Sequence, residues 1–536
     1  MDRWLNPLVR KAEHEWQQLC DAYLPIRVKG SIWRYSRKRL RGDLSQGWKL
    51  HVSATILSAC AVLRLIAPYL KRRGIWFKAP KSLAELHKLN SGIYYGFSQV
   101  GKFVTVYPQS AEAAAAIASE LHALTAKFTA PMVPYDNALR NRSCVYYRYG
   151  SFSIRLKTTF RKKRVLAIAR PDGKLVPDSR GPRAAVPHWL TDPFQSVRSQ
   201  AALEVETPLE TDYTGYEALT QRGRGGIYQA RDVSSMPRKL CVIKEGRRYG
   251  ETDWLGRDGF FRIKREAEVL RLTGAAGVPR VLRTFRANGC YYLVTERIAG
   301  KSLQQVLASR QRMSTRRMLD YCAQMAKIVA DIHAAGWAWR DCKPDNFLVE
   351  KNHKLRALDF EGACRLDETD PPWGATPGYS RPRRSWDSVS PEAMDLYALG
   401  TSIMQLNRED RIPNQSGCSL QARDQETKLT STLVQSDPTP AQSLIQKATF
   451  SACNSNSYRV TYFFLEFERR RRLGIAVSKG TGSREIKQKQ KERKSVEVSQ
   501  RSLMESVEQP NDVHEQNTRD FQFDLPFWIS AEMPQT

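Results

Sequence analysis

The chain has 536 residues, 41% of them hydrophobic and 26% charged, which is a globular composition long enough for two to four domains with real cores. Its formal net charge of +30 points to an anionic partner (nucleic acid, a phosphorylated or acidic peptide, a membrane surface) or to a merely solvated basic surface, and no recognised nucleic-acid module such as a zinc finger or basic-region zipper appears. Ten cysteines scattered without any Cys-x-x-Cys read as reduced, intracellular cysteine rather than a zinc or disulfide framework.

The start, Met1-Asp2-Arg3-Trp4, lacks a signal-peptide core. The most apolar stretch, 54–70, is interrupted by Arg64 and too short to span a bilayer. A soluble cytoplasmic protein is expected, with no membrane span.

In the amino-terminal part, 47–54 alternates apolar and polar residues, so Lys49 and His51 share one face of a strand. A second basic strand, 74–78, ends at Lys78. A third, 101–108, carries Lys102 and Tyr107, and a fourth, 146–150, carries Arg148. Polar and basic groups on successive strands could converge on an anion; the plainer reading is a basic strand edge.

The segment 216–230 reads strand, turn, strand and holds Gly223-Arg224-Gly225-Gly226. Glycines let backbone amides approach nucleotide phosphates. Gln221 stands where the usual G-x-G-x-x-G has its first glycine, so a plain hairpin turn remains open. The strand 240–244 ends in Lys244, placed to hold α- and β-phosphates. The helical spacing of 261–272 offers Glu266 as its partner carboxylate, with Glu268 the competitor. The strand 291–296 leads to a hinge, with Thr295 behind the adenine pocket and Glu296 beside it.

A helix over 319–335 then runs into Trp339-Arg340-Asp341-Cys342-Lys343-Pro344-Asp345-Asn346, and Asp359-Phe360-Glu361 follows a short apolar run. An Asp, a Lys two places on, an Asn five places on and a second Asp behind a strand resemble the phosphotransfer site of protein kinases. The resemblance implies that Asp341 orients the attacking hydroxyl and Lys343 neutralises the γ-phosphoryl. Asn346 and Asp359 would hold Mg²⁺, and ATP or another nucleoside triphosphate would be the donor. Gly378-Tyr379 and Ser390-Pro391-Glu392 resemble the end of an activation segment, and 395–400 the start of the helix that anchors the catalytic loop. Trp339 in place of His and Glu361 in place of Gly depart from the pattern without removing a phosphate or metal group. Past residue 407 the expected helices fade, and the chain beyond 480 is polar and charged apart from an apolar end, 521–529.

The strings Gly-Trp-Lys-Leu-His-Val-Ser-Ala at 47–54, Gly-Lys-Phe-Val-Thr-Val-Tyr-Pro at 101–108 and Tyr-Arg-Tyr-Gly at 147–150 resemble the amino-terminal part of class III lanthipeptide synthetases. The implied fold class is α+β. Residues 1–204 would form a phosphothreonine-lyase-like domain, 205–480 a two-lobed kinase-like domain, and 481–536 a disordered tail. The implied activity is ATP-dependent phosphorylation of Ser or Thr in a ribosomally made, Cys-containing precursor peptide, then phosphate elimination to dehydroamino acids. By this resemblance Lys78 is the base and His51 the acid, Lys49 binds phosphate, and Lys102, Tyr107 and Arg148 belong to the same pocket. No cyclase pattern follows the kinase part, so the chain is not expected to close thioether rings alone. A shortened dehydratase, a partner of a separate cyclase and a truncated gene product all stay open. The alternatives are an ordinary Ser/Thr kinase with an accessory domain, and a pseudokinase that only binds peptide.

Overall fold

The computed structural model describes residues 5–153, 156–158, 164–178, 186–197, 207–273, 277–309, 313–368, 376, 379 and 390–406. The fading kinase lobe past 407, the tail from 481, the apolar end 521–529 and Gly378 lie outside the described residues.

The amino-terminal unit runs α1 (Leu5–Tyr23), β1 (Ile26–Arg27), β2 (Trp33–Tyr35), β3 (Gln46–Val52), α2 (Ala59–Arg72), β4 (Trp76–Pro80), α3 (Leu83–Ser91), β5 (Val104–Tyr107), α4 (Ala111–Thr125), β6 (Asn137–Ala138) and β7 (Val145–Ser151). The strands form one seven-stranded antiparallel sheet in the order β1-β2-β4-β5-β3-β7-β6. Three short strands, β8 (Leu156–Thr158), β9 (Arg164–Ala169) and β10 (Leu175–Pro177), make a separate sheet.

Strand residues alternate between faces, and this alternation decides the chemistry. Leu50, Val52, Phe77, Ala79, Val104, Val106, Val145 and Tyr147 bury one face in a single apolar cluster. Helices α2 and α4 cover that face with Val62, Leu63, Ile66, Ala118 and Leu121. The opposite face carries Lys49, His51, Lys78, Tyr107 and Arg148. The pairing register sets Lys78 opposite Thr105, Thr105 opposite His51, and Lys49 opposite Arg148. The apolar run 54–70, too short to span a bilayer, is largely α2, whose inward side is fully buried. Among the described residues no helix is long and apolar enough to cross a membrane.

After a short helix, α5 (Pro208–Thr211), a five-stranded antiparallel sheet follows: β11 (Tyr213–Arg222), β12 (Gly225–Asp232), β13 (Lys239–Arg247), β14 (Val281–Ala287) and β15 (Cys290–Glu296), in the order β11-β12-β13-β15-β14. Helix α6 (Gly259–Thr273) packs on it. The second lobe holds β16 (Lys301–Ser302), α7 (Leu303–Ala308), α8 (Thr315–Ala334), β17 (Trp337–Ala338), β18 (Phe347–Val349), β19 (Leu355–Ala357), β20 (Cys364–Arg365) and α9 (Pro391–Leu406). Ser302 and Ser314 cap α7 and α8 by accepting the amides of Gln305 and Arg317, each worth about 1 kcal/mol. The expected α+β class, with a sheet-based unit ahead of a two-lobed one, is what the elements show.

The two units touch at a specific place. The Gly223 amide donates to Ser91 O at the end of α3 (2.9 Å). Trp254 packs against the amino-terminal core, and the Arg247 guanidinium lies 5.0 Å from the Phe97 ring centroid.

Candidate active sites

The catalytic loop between β17 and β18 is held by one carboxylate. Asp395 of α9, fully buried, accepts the amides of Trp339 (2.6 Å) and Arg340 (2.5 Å) and bonds His333 Nε2 (2.9 Å). Arg340 takes a positive φ of 68°, which turns the chain so that Asp341 faces outward from this anchor. Trp339 stacks on Phe360 (5.3 Å between centroids) and donates Nε1–H to the Asp359 carbonyl (2.9 Å). The departure from His is therefore a larger ring that packs Phe360 and still supplies a donor.

Asp341 Oδ2 accepts from Lys343 Nζ (2.7 Å) and Asn346 Nδ2 (2.7 Å), and its Oδ1 accepts from Thr376 Oγ1 (2.5 Å). Lys343 also donates to Thr376 (2.7 Å). The Leu358 amide bonds Asn346 O (2.8 Å), so Asn346 lies next to the turn that presents Asp359.

Lys244 on β13 pairs with Glu266 on α6 at 2.7 and 3.0 Å, whereas Glu268 is half-exposed and faces Lys264. Burial disfavours the Lys244 ammonium, but Glu266 and Asp359 outweigh it and lift its pKa above the usual range. Burial pushes the Asp359 carboxyl up; Lys244, Arg224 and Lys343 overcome this and hold it below its usual range. Glu361 is pushed up to about 7 by burial and by Asp359, although Arg224 Nη2 lies 2.5 Å from its Oε1.

The residues fit a magnesium–nucleotide site. Asp359 is an ionised oxygen donor. Asn346 spends its amide nitrogen on Asp341 and keeps its side-chain oxygen for a cation. No cluster of three His, Cys, Asp or Glu groups of metal-holding geometry occurs among the described residues, and a site completed by phosphate oxygens and water needs none.

Two of the expected phosphate ligands are placed differently from a free glycine loop. Gly223 gives its amide to Ser91 O, and a Cβ at Gly225 would stand 1.7 Å from Glu245 O. Their glycines serve close backbone packing against protein. The Glu296 carboxylate is spent on Arg356 (2.6 Å) and the Arg280 amide (3.0 Å).

The second centre lies on the open face of the seven-stranded sheet. Lys49, Lys78 and Tyr107 line a cavity of about 460 Å³ with Arg37, Lys38, Arg39 and Trp76. Lys78 Nζ stands 4.1 Å from the Trp33 ring centroid and Lys49 Nζ 6.0 Å from that of Phe152. His51, Lys102 and Arg148 are buried beside it around Asp136. Its Oδ2 lies 2.5 Å from His51 Nδ1, and its Oδ1 lies 3.2 Å from Lys102 Nζ and 3.9 Å from Arg148 Nε. Arg148 further pairs with Asp178 (2.5 Å). Lys78 and His51 stand two strands apart, about 10 Å.

Burial depresses the His51 pKa to about 3, against the raising effect of Asp136. The ring is neutral, with Nδ1–H donated to an Asp136 that Lys102, His51 and Arg148 keep ionised well below the usual range despite burial. The unfolded chain takes up a proton on this histidine below about pH 6.5 and the folded chain does not. Stability is therefore lost as pH falls from about 6.5 toward 3, with a slope reaching about 1.4 kcal/mol per pH unit. His51→Asn should flatten this dependence between pH 7 and pH 4.5 in urea titrations; an unchanged slope would contradict a neutral buried ring.

Comparison with known proteins follows the same division. Residues 25–205 match the family described as RamC, N-terminal domain, and residues 216–480 match the protein kinase domain. The chain joins a RamC N-terminal domain to a protein kinase domain. The resemblance to class III lanthipeptide synthetases is borne out at this level. A Streptomyces coelicolor protein named Probable SapB synthase is 33% identical over 370 residues, 66% of this chain and 39% of that one. The kinase domain is also similar to serine/threonine-protein kinase pkn3 of Myxococcus xanthus (28% identical, 38% of this chain and 40% of that one). Serine/threonine-protein kinase F of Synechocystis is 27% identical over 40% of this chain and 47% of its own length. The chain thus matches less than half the length of each of these relatives.

Sequence reasoning did not single out four residues that the structure places at these sites. Asp136 and Asp178 are lone acids in turn-like surroundings, and Thr376 lies 35 residues from Asp341. Arg224 was read only as the filler between two glycines.

Proposed function

We propose that the kinase domain phosphorylates Ser or Thr side chains of a ribosomally made precursor peptide, and that the RamC domain then eliminates the phosphate to leave dehydroalanine or dehydrobutyrine. The observation that carries this reading is the juxtaposition in one chain of two prepared centres. One is the Lys244–Glu266 pair with Asp341, Asn346 and Asp359. The other is a basic sheet face holding Lys49, His51, Lys78 and Arg148. Similarity to SapB synthase over both units supports it.

ATP with Mg²⁺ supplies the phosphoryl group and neutralises its charge when bound. Around it, Asp341 accepts and orients the substrate hydroxyl, Lys343 faces the transferred group, and Lys244 holds phosphate oxygens. Asn346 and Asp359 are the side chains that would hold the cation. The transition state is mainly a charge-placement problem, so positioned cations contribute most of the rate.

In the elimination, Lys49 and Arg148 hold the phosphate of the phosphopeptide. The deprotonated amine of Lys78 removes the Cα proton, and the electron pair forms the Cα–Cβ double bond. The Cβ–O bond breaks, and phosphate leaves with a proton from His51 Nε2. His51 is neutral in the empty site; a dianionic phosphate alongside favours its imidazolium, and Asp136 stabilises that ion through Nδ1–H.

Incubation with ATP, Mg²⁺ and a Ser/Thr-rich precursor should give peptide lighter by one water per processed residue in mass spectrometry. Lys78→Ala should leave phosphopeptide accumulating, with elimination slowed about a hundredfold or more. Stable phosphopeptide from the unmodified chain would instead support an ordinary Ser/Thr kinase, a reading that the pkn3 and kinase F relatives favour. Failure to phosphorylate any peptide would overturn both.

A further inference from the structure

The β11–β12 hairpin closes with Arg222 opposite Gly225, so its tip is only Gly223 and Arg224. A two-residue tip leaves few amides to cradle phosphates, and one of them is engaged elsewhere. The Gly223 amide is given to Ser91 O (2.9 Å), and the Arg224 carbonyl accepts from the Arg247 amide (2.9 Å).

Two further glycines press on the tip from below. A Cβ at Gly250 would stand 2.3 Å from Gly223 O, and one at Gly259 would stand 1.8 Å from Arg224 O. A Cβ at Gly223 itself would stand 1.7 Å from Asn90 O of the RamC domain. The tip is therefore clamped by backbone on several sides, and its mobile part is the Arg224 side chain.

That side chain reaches into the nucleotide site. Nη2 lies 2.5 Å from Glu361 Oε1, two residues past Asp359, and Nη1 lies 3.8 Å from Glu251 Oε2, with the side chain 23% exposed. A guanidinium presents a planar fork of donors that suits carboxylate and phosphate equally, so a phosphate can replace a carboxylate without rebuilding the site. Glu361 occupies the position where most kinases have glycine, and it gives the fork a partner until nucleotide arrives.

We propose that Arg224 is a nucleotide-phosphate ligand: its guanidinium exchanges Glu361 for phosphate oxygens of ATP and replaces the amide cradle that the clamped hairpin tip does not supply. This deepens the kinase reading and rests on it. It also makes the RamC domain part of nucleotide binding, because Ser91 and Asn90 set where the tip lies.

The test is calorimetric titration of the full chain with Mg·ATP and, separately, with adenosine. Arg224→Gln should weaken Mg·ATP about ten- to a hundredfold and leave adenosine unchanged, and Arg224→Lys should recover part of the loss. Glu361→Gln removes the competing carboxylate and should strengthen Mg·ATP several-fold. That variant decides the matter if Arg224→Gln does not fold. Unchanged or tighter Mg·ATP binding by Arg224→Gln overturns the proposal; tighter binding would mean that the arginine merely blocks the site. Weaker binding by Glu361→Gln also overturns it. If the unmodified chain binds no Mg·ATP, the kinase reading falls together with it.

Discussion

Asp359→Asn should lower phosphoryl transfer by about a thousandfold or more, since a cation ligand supplies several kcal/mol of transition-state stabilisation. The substitution is a clean probe of charge. Asn has the same shape and tolerates the left-handed backbone that Asp359 adopts at φ 65°. The carbonyl that accepts Trp339 Nε1–H (2.9 Å) is retained, as is the Lys244–Glu266 pair on the neighbouring elements. The fold should survive, with an unfolding midpoint near that of the unmodified chain, while radiolabelled phosphate no longer reaches peptide. Retained transfer would remove Asp359 from the mechanism, and with it the fit of a magnesium–nucleotide site.

Asp136→Asn should be the most damaging single change in the RamC domain. The Asp136 carboxylate is fully buried against His51, Lys102 and Arg148, and the Lys102 side chain is itself 5% exposed. Neutralising the acid removes the charge that the buried Lys102 ammonium faces at 3.2 Å. Removing one member of a buried ionic network typically costs about 3–5 kcal/mol, or roughly 10 °C in unfolding midpoint for a domain of this size. Scanning calorimetry of the full chain should show the loss. Mg·ATP affinity should persist at temperatures where the RamC domain stays folded, because Asn90 and Ser91 then still hold the hairpin tip. A midpoint shift below 2 °C, a small fraction of the expected loss, would mean that Lys102 finds another partner at no cost.

Legibility in the sequence followed the range of the interactions. Asp341, Lys343, Asn346 and Asp359 were readable because the catalytic loop and the turn behind β19 fix them at short, characteristic offsets. Glu266 was named with Glu268 as competitor, and helical phase separates them in the structure, since residues two apart lie on nearly opposite faces and only one can point toward β13. Alternation along β3 showed that Lys49 and His51 share a face. It carried no information on the order β1-β2-β4-β5-β3-β7-β6, which depends on pairings between strands far apart in the chain. The same distance hid Asp136, 85 residues from His51. Most of all it hid the hairpin tip: its glycines match a phosphate loop in type, yet their neighbours are Ser91 and Asn90, on a different domain. Arg224 was unreadable for a related reason, because its partner Glu361 was noted only as a missing glycine.

The seven residues of β3 carry two sets of instructions at once, with odd positions for reactive groups and even positions for the interior. A strand has a period of two. Inserting or deleting a single residue within Gln46–Val52 would turn Lys49 and His51 into the oily layer under α2 and α4 and expel Trp48, Leu50 and Val52 into the cavity. The pocket can be retuned by exchanging side chains, but this strand cannot change length without losing the proposed eliminating groups and cohesion in one event.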